Sequence, residues 1–342
     1  MRFNQTAVLA KARIKQNKGE KVKAVAWTKY GQPTDALKII ETDKPSPQKN
    51  EVLIKVHSST VTAGDARLRG FNIPAGFRLL TRLAFGVFKP RKTIPGMDFS
   101  GEVEAIGKDV TLFNVGDRVF GTAGMHFGAH AEYLCLPEKA AFIKKPDGIN
   151  HSDAVALIFG GQTAIHFLKE KARLSRGQNI LINGASGAVG TASIQLAKYL
   201  GAEVTAVCST ANIELVKSLG ADKTIDYTQE PIEKREQRYD FILDTVGNLS
   251  RSRCGKLLKK QGTLIAINSG MLTNLSAIFN KQLISGVAGE SKESIEFLKN
   301  LARNGDIKAV IDRMYPLEDI VEAHKYVDAG HKKGNVVISV VP

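Results

Sequence analysis

The pattern of apolar and polar positions along the chain changes once, near Pro146. Before it, short apolar stretches alternate with polar residues and stop at glycines. KAVAWTKYG, from about Val22, reads as a strand entering a turn, and EVLIKVH (51–57) alternates as a half-buried strand does. IPGMDFSGEVEAIG (94–107) and VGDRVFG (115–121) each read as a turn with a strand, and GAHAEYLCLP (128–137) adds another. Many short, glycine-punctuated strands with few helices predict a mainly β, barrel-like first domain. After Pro146, strands and helices alternate. Strands are predicted at 179–183, 203–208, 223–227, 240–246, 262–267 and 283–288, with helices at 212–219 and 250–260 among those between them. Six strands so arranged predict an α/β domain with a doubly wound, six-stranded parallel sheet. The tail reads as helix, strand (308–315), helix (317–329) and strand (335–341), which fits a return to the first domain better than two further strands of the parallel sheet. The expected division is a basic arm (1–21), the first part of a catalytic domain (22–147), a nucleotide-binding domain (148–290) and the return (291–342).

The stretch QNILINGASGAVGTASIQLAKYLG (178–201) carries the most chemistry. Ile180, Leu181 and Ile182 form the continuous apolar run of a strand buried on both faces. Gly184, Gly187 and Gly190 follow in a GxxGxxG turn, where glycine lets backbone approach a ligand closely. The next helix aims its free N–H groups and positive dipole end at that turn, which suits a pyrophosphate. A strand before, a helix after and a second strand at 203–208 complete a βαβ unit. This context predicts dinucleotide binding by Gly184, Ser186, Gly187, Ala188, Val189 and Gly190, against a turn that merely packs a helix on a sheet. The second strand ends in Cys208-Ser209-Thr210-Ala211-Asn212, with no acid to hold a ribose 2′-OH. Ser209, Thr210 and Asn212 suit a 2′-phosphate instead, so NADPH is the expected cofactor, with Lys217 or Lys223 as the neutralising cation. Thr245, Val246, Gly247, Ile267 and Asn268 end later strands, where ligands of such sheets bind, and Tyr227 is placed to flank an adenine.

With 342 residues, 43% apolar and 24% charged, the chain has room for two domains and needs no disulfide staple. Its three cysteines, Cys135, Cys208 and Cys254, lie far apart without a CxxC, which favours a reducing compartment and argues against a structural zinc. The net charge is +14, and the first 23 residues hold seven bases and one acid. Such an excess fits an anionic partner or simply an anionic cofactor, and the second reading is preferred. The N-terminus lacks the apolar core of a secretory signal but faintly resembles an organelle transit peptide. No run is long enough to span a membrane, since 154–168 is broken by Gln162, Thr163 and His166. A cytoplasmic protein is expected, with organelle targeting left open and no stable nucleic-acid complex. In RLLTRLAFGVFKPRK (78–92), Leu79, Leu80, Leu83 and Phe88 are interleaved with Arg78, Arg82, Lys89, Arg91 and Lys92. This fits an interfacial membrane helix or, as preferred here, a flap closing a substrate pocket with its apolar side inward.

Beyond the glycine turn, the chain carries EVLIKVHSSTVTAGDARLRG, IPGMDFSGEVEAIG, VGDRVFG, GGQTAIHFL, SLGADKTIDY and GHKKGNVVISV in one order. From about Val22 onward it thereby resembles the medium-chain dehydrogenase/reductase superfamily, and most closely its zinc-free quinone oxidoreductases and NADPH-dependent enone reductases. The resemblance implies a GroES-like catalytic domain split around a Rossmann domain, and a homodimer. It also implies that Thr163 lies near the nicotinamide and that Thr62 and Asp65 occupy the active-site loop, where relatives read Asn-Pro-x-Asp. Asp65 is equally suited to orient Arg69. Asn335 stands where relatives often carry a lysine. Zinc-dependent relatives have a cysteine near Thr62 and a histidine at Met97, and their four-cysteine lobe is missing here, so no metal site is expected. Without a Lewis acid, an isolated ketone loses several kcal/mol of activation. A conjugated acceptor needs little more than positioning against the hydride donor. The expected activity is therefore NADPH-dependent reduction of a small lipophilic quinone or α,β-unsaturated carbonyl. The alternatives are a zinc alcohol dehydrogenase and a non-enzymatic, NADPH-occupied protein at RNA or a membrane.

Overall fold

The structure, a computed structural model, describes residues 19–74, 76–234, 236–267 and 269–341. Nearly all of the expected basic arm, and Asn268, lie outside the described residues.

The N-terminal part runs β1 (Lys21–Trp27), α1 (Pro33–Ala36), β2 (Leu37–Asp43), β3 (Glu51–Val61), α2 (Ala63–Gly70), α3 (Arg78–Phe85), β4 (Asp98–Ile106), β5 (Arg118–Thr122), β6 (Tyr133–Pro137) and β7 (Phe142–Lys144). β3 is its spine, pairing with β4 and β6. Val52, Ile54 and Val56 on it are fully buried. The strand continues past His57 through Ser58, Ser59 and Thr60, which are buried as well. These hydroxyls can enter the interior because they are bonded: Ser59 Oγ donates to the Asp98 carbonyl at 2.7 Å and Thr60 Oγ1 to Asp98 Oδ2 at 3.3 Å.

The second part runs α4 (His151–Ala164), β8 (Asn179–Asn183), α5 (Ala188–Tyr199), β9 (Glu203–Cys208), α6 (Ile213–Ser218), β10 (Lys223–Asp226), β11 (Tyr239–Asp244), α7 (Arg251–Cys254), β12 (Leu258–Ala266), α8 (Met271–Phe279) and β13 (Leu283–Ser285). Its six strands lie in the order β10-β9-β8-β11-β12-β13, all parallel. The order reverses between β8 and β11, so a crevice opens there at the carboxyl ends of the strands. Ile180, Leu181 and Ile182 of β8 are fully buried, as their continuous apolar run requires. α4 is apolar nearly all round because it is covered on two sides: it packs on α5 and also against β3 and β4.

The predicted helix over 250–260 is only one turn, α7, and Leu258 already opens β12. Leu258 pairs with Tyr239, and both side chains are buried. That pairing overrides the helical propensity of a leucine- and lysine-rich stretch.

The tail runs α9 (Lys292–Asn304), β14 (Ile311–Pro316), α10 (Ile320–Asp328) and β15 (Asn335–Ser339). Ile295, Leu298 and Leu301 of α9 pack into the core shared with β8, β9 and α5. β15 then pairs antiparallel with β3, and β14 parallel with β15, extending the first sheet to seven strands. The chain is thus a mostly β, GroES-like part and a Rossmann-type part with a six-stranded parallel sheet.

Candidate active site

The glycine turn between β8 and α5 forms one wall of the crevice. Gly184 has φ +77, and a Cβ there would overlap the Thr245 hydroxyl. Gly190 lies so close to the Gly184 carbonyl that no side chain fits. Gly187 is different. It is the N-cap of α5 with ordinary φ −77 and ψ 175, no side chain caps the helix, and the nearest atom to an added Cβ is 3.6 Å away. The fold therefore needs glycine at 184 and 190, whereas Gly187 leaves open space before the N–H groups of Ala188 and Val189. An anion seats in such a space, held by the helix N-terminus. The residues present fit the pyrophosphate of a dinucleotide.

Two further elements brace this turn. Asn212 Nδ2 donates to Ser186 Oγ and to Ser209 Oγ, both at 3.1 Å, which ties the end of β9 to the turn. The Gly334 N–H donates to the Ser186 carbonyl at 2.8 Å, bringing the entry to β15 against it. Thr210 directs its hydroxyl to Asp226 Oδ2 and lies 3.0 Å from Thr228 Oγ1. Hydrogen bonds from Thr210 and Thr228 hold the Asp226 carboxyl below its ordinary range. The expected neutralising lysines are engaged elsewhere: Lys217 pairs with Glu214 at 3.0 Å and Lys223 with Glu203 at 2.7 Å. Tyr227, just beyond β10, is half exposed.

Across the crevice, Thr245 Oγ1 donates to the Asn183 carbonyl at 2.8 Å, and Val246 and Gly247 follow. Their turn is built on Asp244, a fully buried carboxylate that accepts from the N–H groups of Val246 and Gly247 at 3.0 Å and of Leu249 at 2.8 Å. Asn183 Nδ2 donates to Asp244 at 2.9 Å from the neighbouring strand. Sequence reading passed over Asp244; its signal was an acid closing an apolar strand just before a glycine. Ile267 follows β12, its N–H donating to the Asp244 carbonyl at 3.2 Å. A cleft of ≈ 300 Å³ beyond this turn is lined by Asp244, Gly247, Arg251, Ser269 and Asn280, with no residue of the glycine turn in its wall.

Thr62 and Asp65 are brought together as a capping box at the start of α2. Thr62 Oγ1 donates to Asp65 Oδ2 at 2.6 Å, the Thr62 N–H to the same oxygen at 2.8 Å, and the Asp65 N–H returns a bond to Thr62 Oγ1 at 3.1 Å. Asp65 therefore orients Thr62 and not Arg69, whose partners are Asp328 and the Gly31 carbonyl. Met97 approaches this loop, its Cε 3.5 Å from where a Cβ on Gly64 would stand. Behind it Asp98 is buried. Burial first, then the charges of Asp65 and Glu290, hold its carboxyl well above the usual range despite bonds from Thr122 and Thr60. Thr163 is buried, and its hydroxyl donates to the Phe159 carbonyl at 2.7 Å, the backbone bond typical of a mid-helix threonine. Asn335 is spent similarly: its amide donates to the Val310 carbonyl at 3.1 Å.

The segment 78–92 does not close inward as a flap. No residue of α3 is buried, and Leu79, Leu80, Leu83 and Phe88 face solvent. Its inner contacts come instead from Arg82, whose guanidinium lies over the rings of Tyr30 and Phe71, and from Phe85, edge-on to Phe127.

Comparison with known proteins agrees with this layout. Residues 48–147 match the family described as "Alcohol dehydrogenase GroES-like domain", and residues 219–338 the one described as "Zinc-binding dehydrogenase". A chloroplast envelope quinone oxidoreductase homolog of Arabidopsis thaliana is 31% identical over 339 residues, covering 94% of this chain and 99% of its own. An NADPH-dependent alkenal/one oxidoreductase, chloroplastic, of the same plant is 30% identical over 94% of this chain and 81% of its own. The solved quinone oxidoreductase of Coxiella burnetii superposes with a TM-score of 0.83 at 28% identity, covering 94% of this chain and all of its own. The zinc named in one description finds no fitting donors. The Thr62 hydroxyl is committed to Asp65, Met97 offers only a thioether, and among the described residues no three His, Cys, Asp or Glu side chains converge to hold a metal ion.

Proposed function

The chain belongs to the medium-chain dehydrogenase/reductase superfamily, in its quinone oxidoreductase branch, and on that premise we propose a zinc-independent, NADPH-dependent reductase of quinones and α,β-unsaturated carbonyls. It is an NAD(P)H oxidoreductase; the acceptor class, the 2′-phosphate preference and the independence from zinc are the proposal. The observation that carries it is a contrast between two groups of residues. In one stands a turn built for a pyrophosphate, with Gly187 open and Ser186 braced from two sides. In the other stand Thr62, Met97 and Asp98, and the commitment of the Thr62 hydroxyl to Asp65, with no cluster of three metal-binding side chains among the described residues, supports independence from zinc.

Bound there, a nicotinamide dinucleotide supplies a hydride from C4 to the acceptor. The protein's own part is positioning. Ala188 and Val189 would offer their N–H groups to the pyrophosphate, and the polar rim of Ser186, Ser209 and Asn212 would hold the ribose and its 2′ substituent. The absence of an acid at the end of β9 supports a 2′-phosphate; the Asp226 carboxylate beside Thr210 is the feature that opposes it. Burial first, then Asp65 and Glu290, hold the Asp98 carboxyl well above its ordinary range, which disfavours a fixed negative charge at this end of β4. A conjugated acceptor spreads the charge that develops on it, and solvent or a local hydroxyl completes the protonation.

The test is NADPH oxidation against a panel of quinones, 2-alkenals and cyclic enones, with NADH in parallel and with bound metal measured on the same protein. Turnover with NADPH on one of these classes, without stoichiometric zinc, is the expected result. No acceptor above background, or activity that tracks bound zinc, would end the reading.

A further inference from the structure

We propose that α3 and the loop following it, to Lys92, form a docking surface for an anionic lipid bilayer. The proposal stands on the surface alone and does not depend on which acceptor the enzyme reduces.

The first observation is where the apolar side chains point. Leu79 is 70% exposed, Leu80 54%, Leu83 53% and Phe88 91%. The segment is not a loose lid caught open, because its opposite side is already fastened to the protein. Arg82 lies 4.0 Å from the Phe71 ring centroid and 4.6 Å from that of Tyr30. Arg82 also donates to the Val87 carbonyl at 2.5 Å, and the Tyr30 hydroxyl to the Gly86 carbonyl at 3.0 Å. Gly86 turns the chain with φ +124, so tightly that a Cβ would overlap the Lys89 carbonyl. A soluble surface helix buries its leucines and exposes its arginines. Here an arginine and an aromatic face inward and the leucines face out.

The second observation is charge. From residue 66 to residue 97 the sequence holds seven Arg and Lys and no Asp or Glu. Arg78, Lys89, Arg91 and Lys92 are exposed around the apolar face. An apolar face ringed by bases complements a surface of anionic headgroups over acyl chains. A contact between two copies of the chain would bring these like charges together. The neighbouring α8 shows the other pattern: Leu272, Leu275, Ile278 and Phe279 are exposed, but MLTNLSAIF carries no charge. That composition suits a protein partner, and the difference marks α3 as the lipid-facing element.

The experiment is flotation of the full chain with vesicles of phosphatidylcholine alone or mixed with phosphatidylglycerol. Binding to the mixed vesicles should exceed binding to the neutral ones by roughly tenfold or more and fall steeply as salt is raised, since screening removes the charge contribution. Leu80→Ser with Phe88→Ser should abolish flotation, and Lys89→Glu with Arg91→Glu should do the same at low salt. All four positions are exposed, so folding and turnover of a water-soluble acceptor should be retained. Flotation unchanged in both variants, or absent from the wild type, overturns the proposal. So does a change from dimer to monomer in Leu80→Ser with Phe88→Ser, seen by light scattering, which would identify the face as a contact between copies.

Discussion

The N–H of Gly334 donates to the carbonyl of Ser186 at 2.8 Å, across 148 positions of sequence. This one bond couples the two parts of the molecule at the place where the cofactor's phosphates are expected. Gly334 leads into β15, which belongs to the first sheet, and Ser186 is the middle of the glycine turn in the second. A shift of one part against the other is therefore felt at the turn.

Substituting Gly334 should show the coupling. The residue has φ +64, and a Cβ would overlap the Val310 carbonyl. Gly334→Ala is expected to cost about 2 kcal/mol of stability or more, from left-handed strain and overlap together. It should also weaken dinucleotide binding, since relieving the overlap with Val310 moves the residue 334 N–H away from the Ser186 carbonyl. Urea denaturation and calorimetric titration with NADPH measure the two effects; unchanged affinity in a destabilised protein would show that the bond serves folding alone.

The three glycines of the turn should divide by role. Gly190→Ala places a methyl group against the Gly184 carbonyl and should destabilise the protein severely. Gly187→Asp meets nothing within 3.6 Å, has compatible backbone angles, and supplies a good N-cap to a helix that lacks one. Its stability should hold or rise, by up to about 1 kcal/mol. Dinucleotide affinity should fall by about a hundredfold, because a carboxylate then faces the pyrophosphate. Binding and melting measured on the same preparation decide; a Gly187→Asp protein that binds normally would remove the turn from the cofactor site.

Two buried histidines contribute to the acid side of the stability profile. His324, fully buried on α10, is held well below the ordinary histidine value by burial, then by His130 and Arg69; His130 is lowered by burial, with Asp65 opposing. The rings stand 6.0 Å apart, and Arg69 pairs on its far side with Asp328. With folded values below unfolded ones, the unfolded chain binds more protons as the pH falls under about 6.5, so stability declines toward acid. His324→Leu gives up no hydrogen bond among the described residues, since neither ring nitrogen has a partner. The variant should be at least as stable as wild type near neutrality and gain on it below pH 6.5, by up to about 1.4 kcal/mol per pH unit. Denaturant melts at three pH values between 7.5 and 5 test this, and parallel curves would sink it.

What the sequence by itself determined is what short-range physics writes into it. The change of apolar period at Pro146, the buried run Ile180 to Ile182 and the glycine turn each follow from backbone and burial requirements acting over a few residues. They sufficed for the six-stranded and seven-stranded sheets and for the glycine turn between β8 and α5. The tertiary structure decided whatever depends on partners distant in the chain. Leu258 is in a strand because Tyr239 pairs with it. Asp65 holds Thr62 because Arg69 finds Asp328 some 259 positions away. Lys217 and Lys223 are taken up by Glu214 and Glu203, and Thr163 and Asn335 by backbone carbonyls. The amphipathic pattern of residues 78–92 announced a helix with two unlike faces, but periodicity carries no information about which face meets the protein. Arg82 settled that by stacking on Tyr30 and Phe71, and the leucines were left outside.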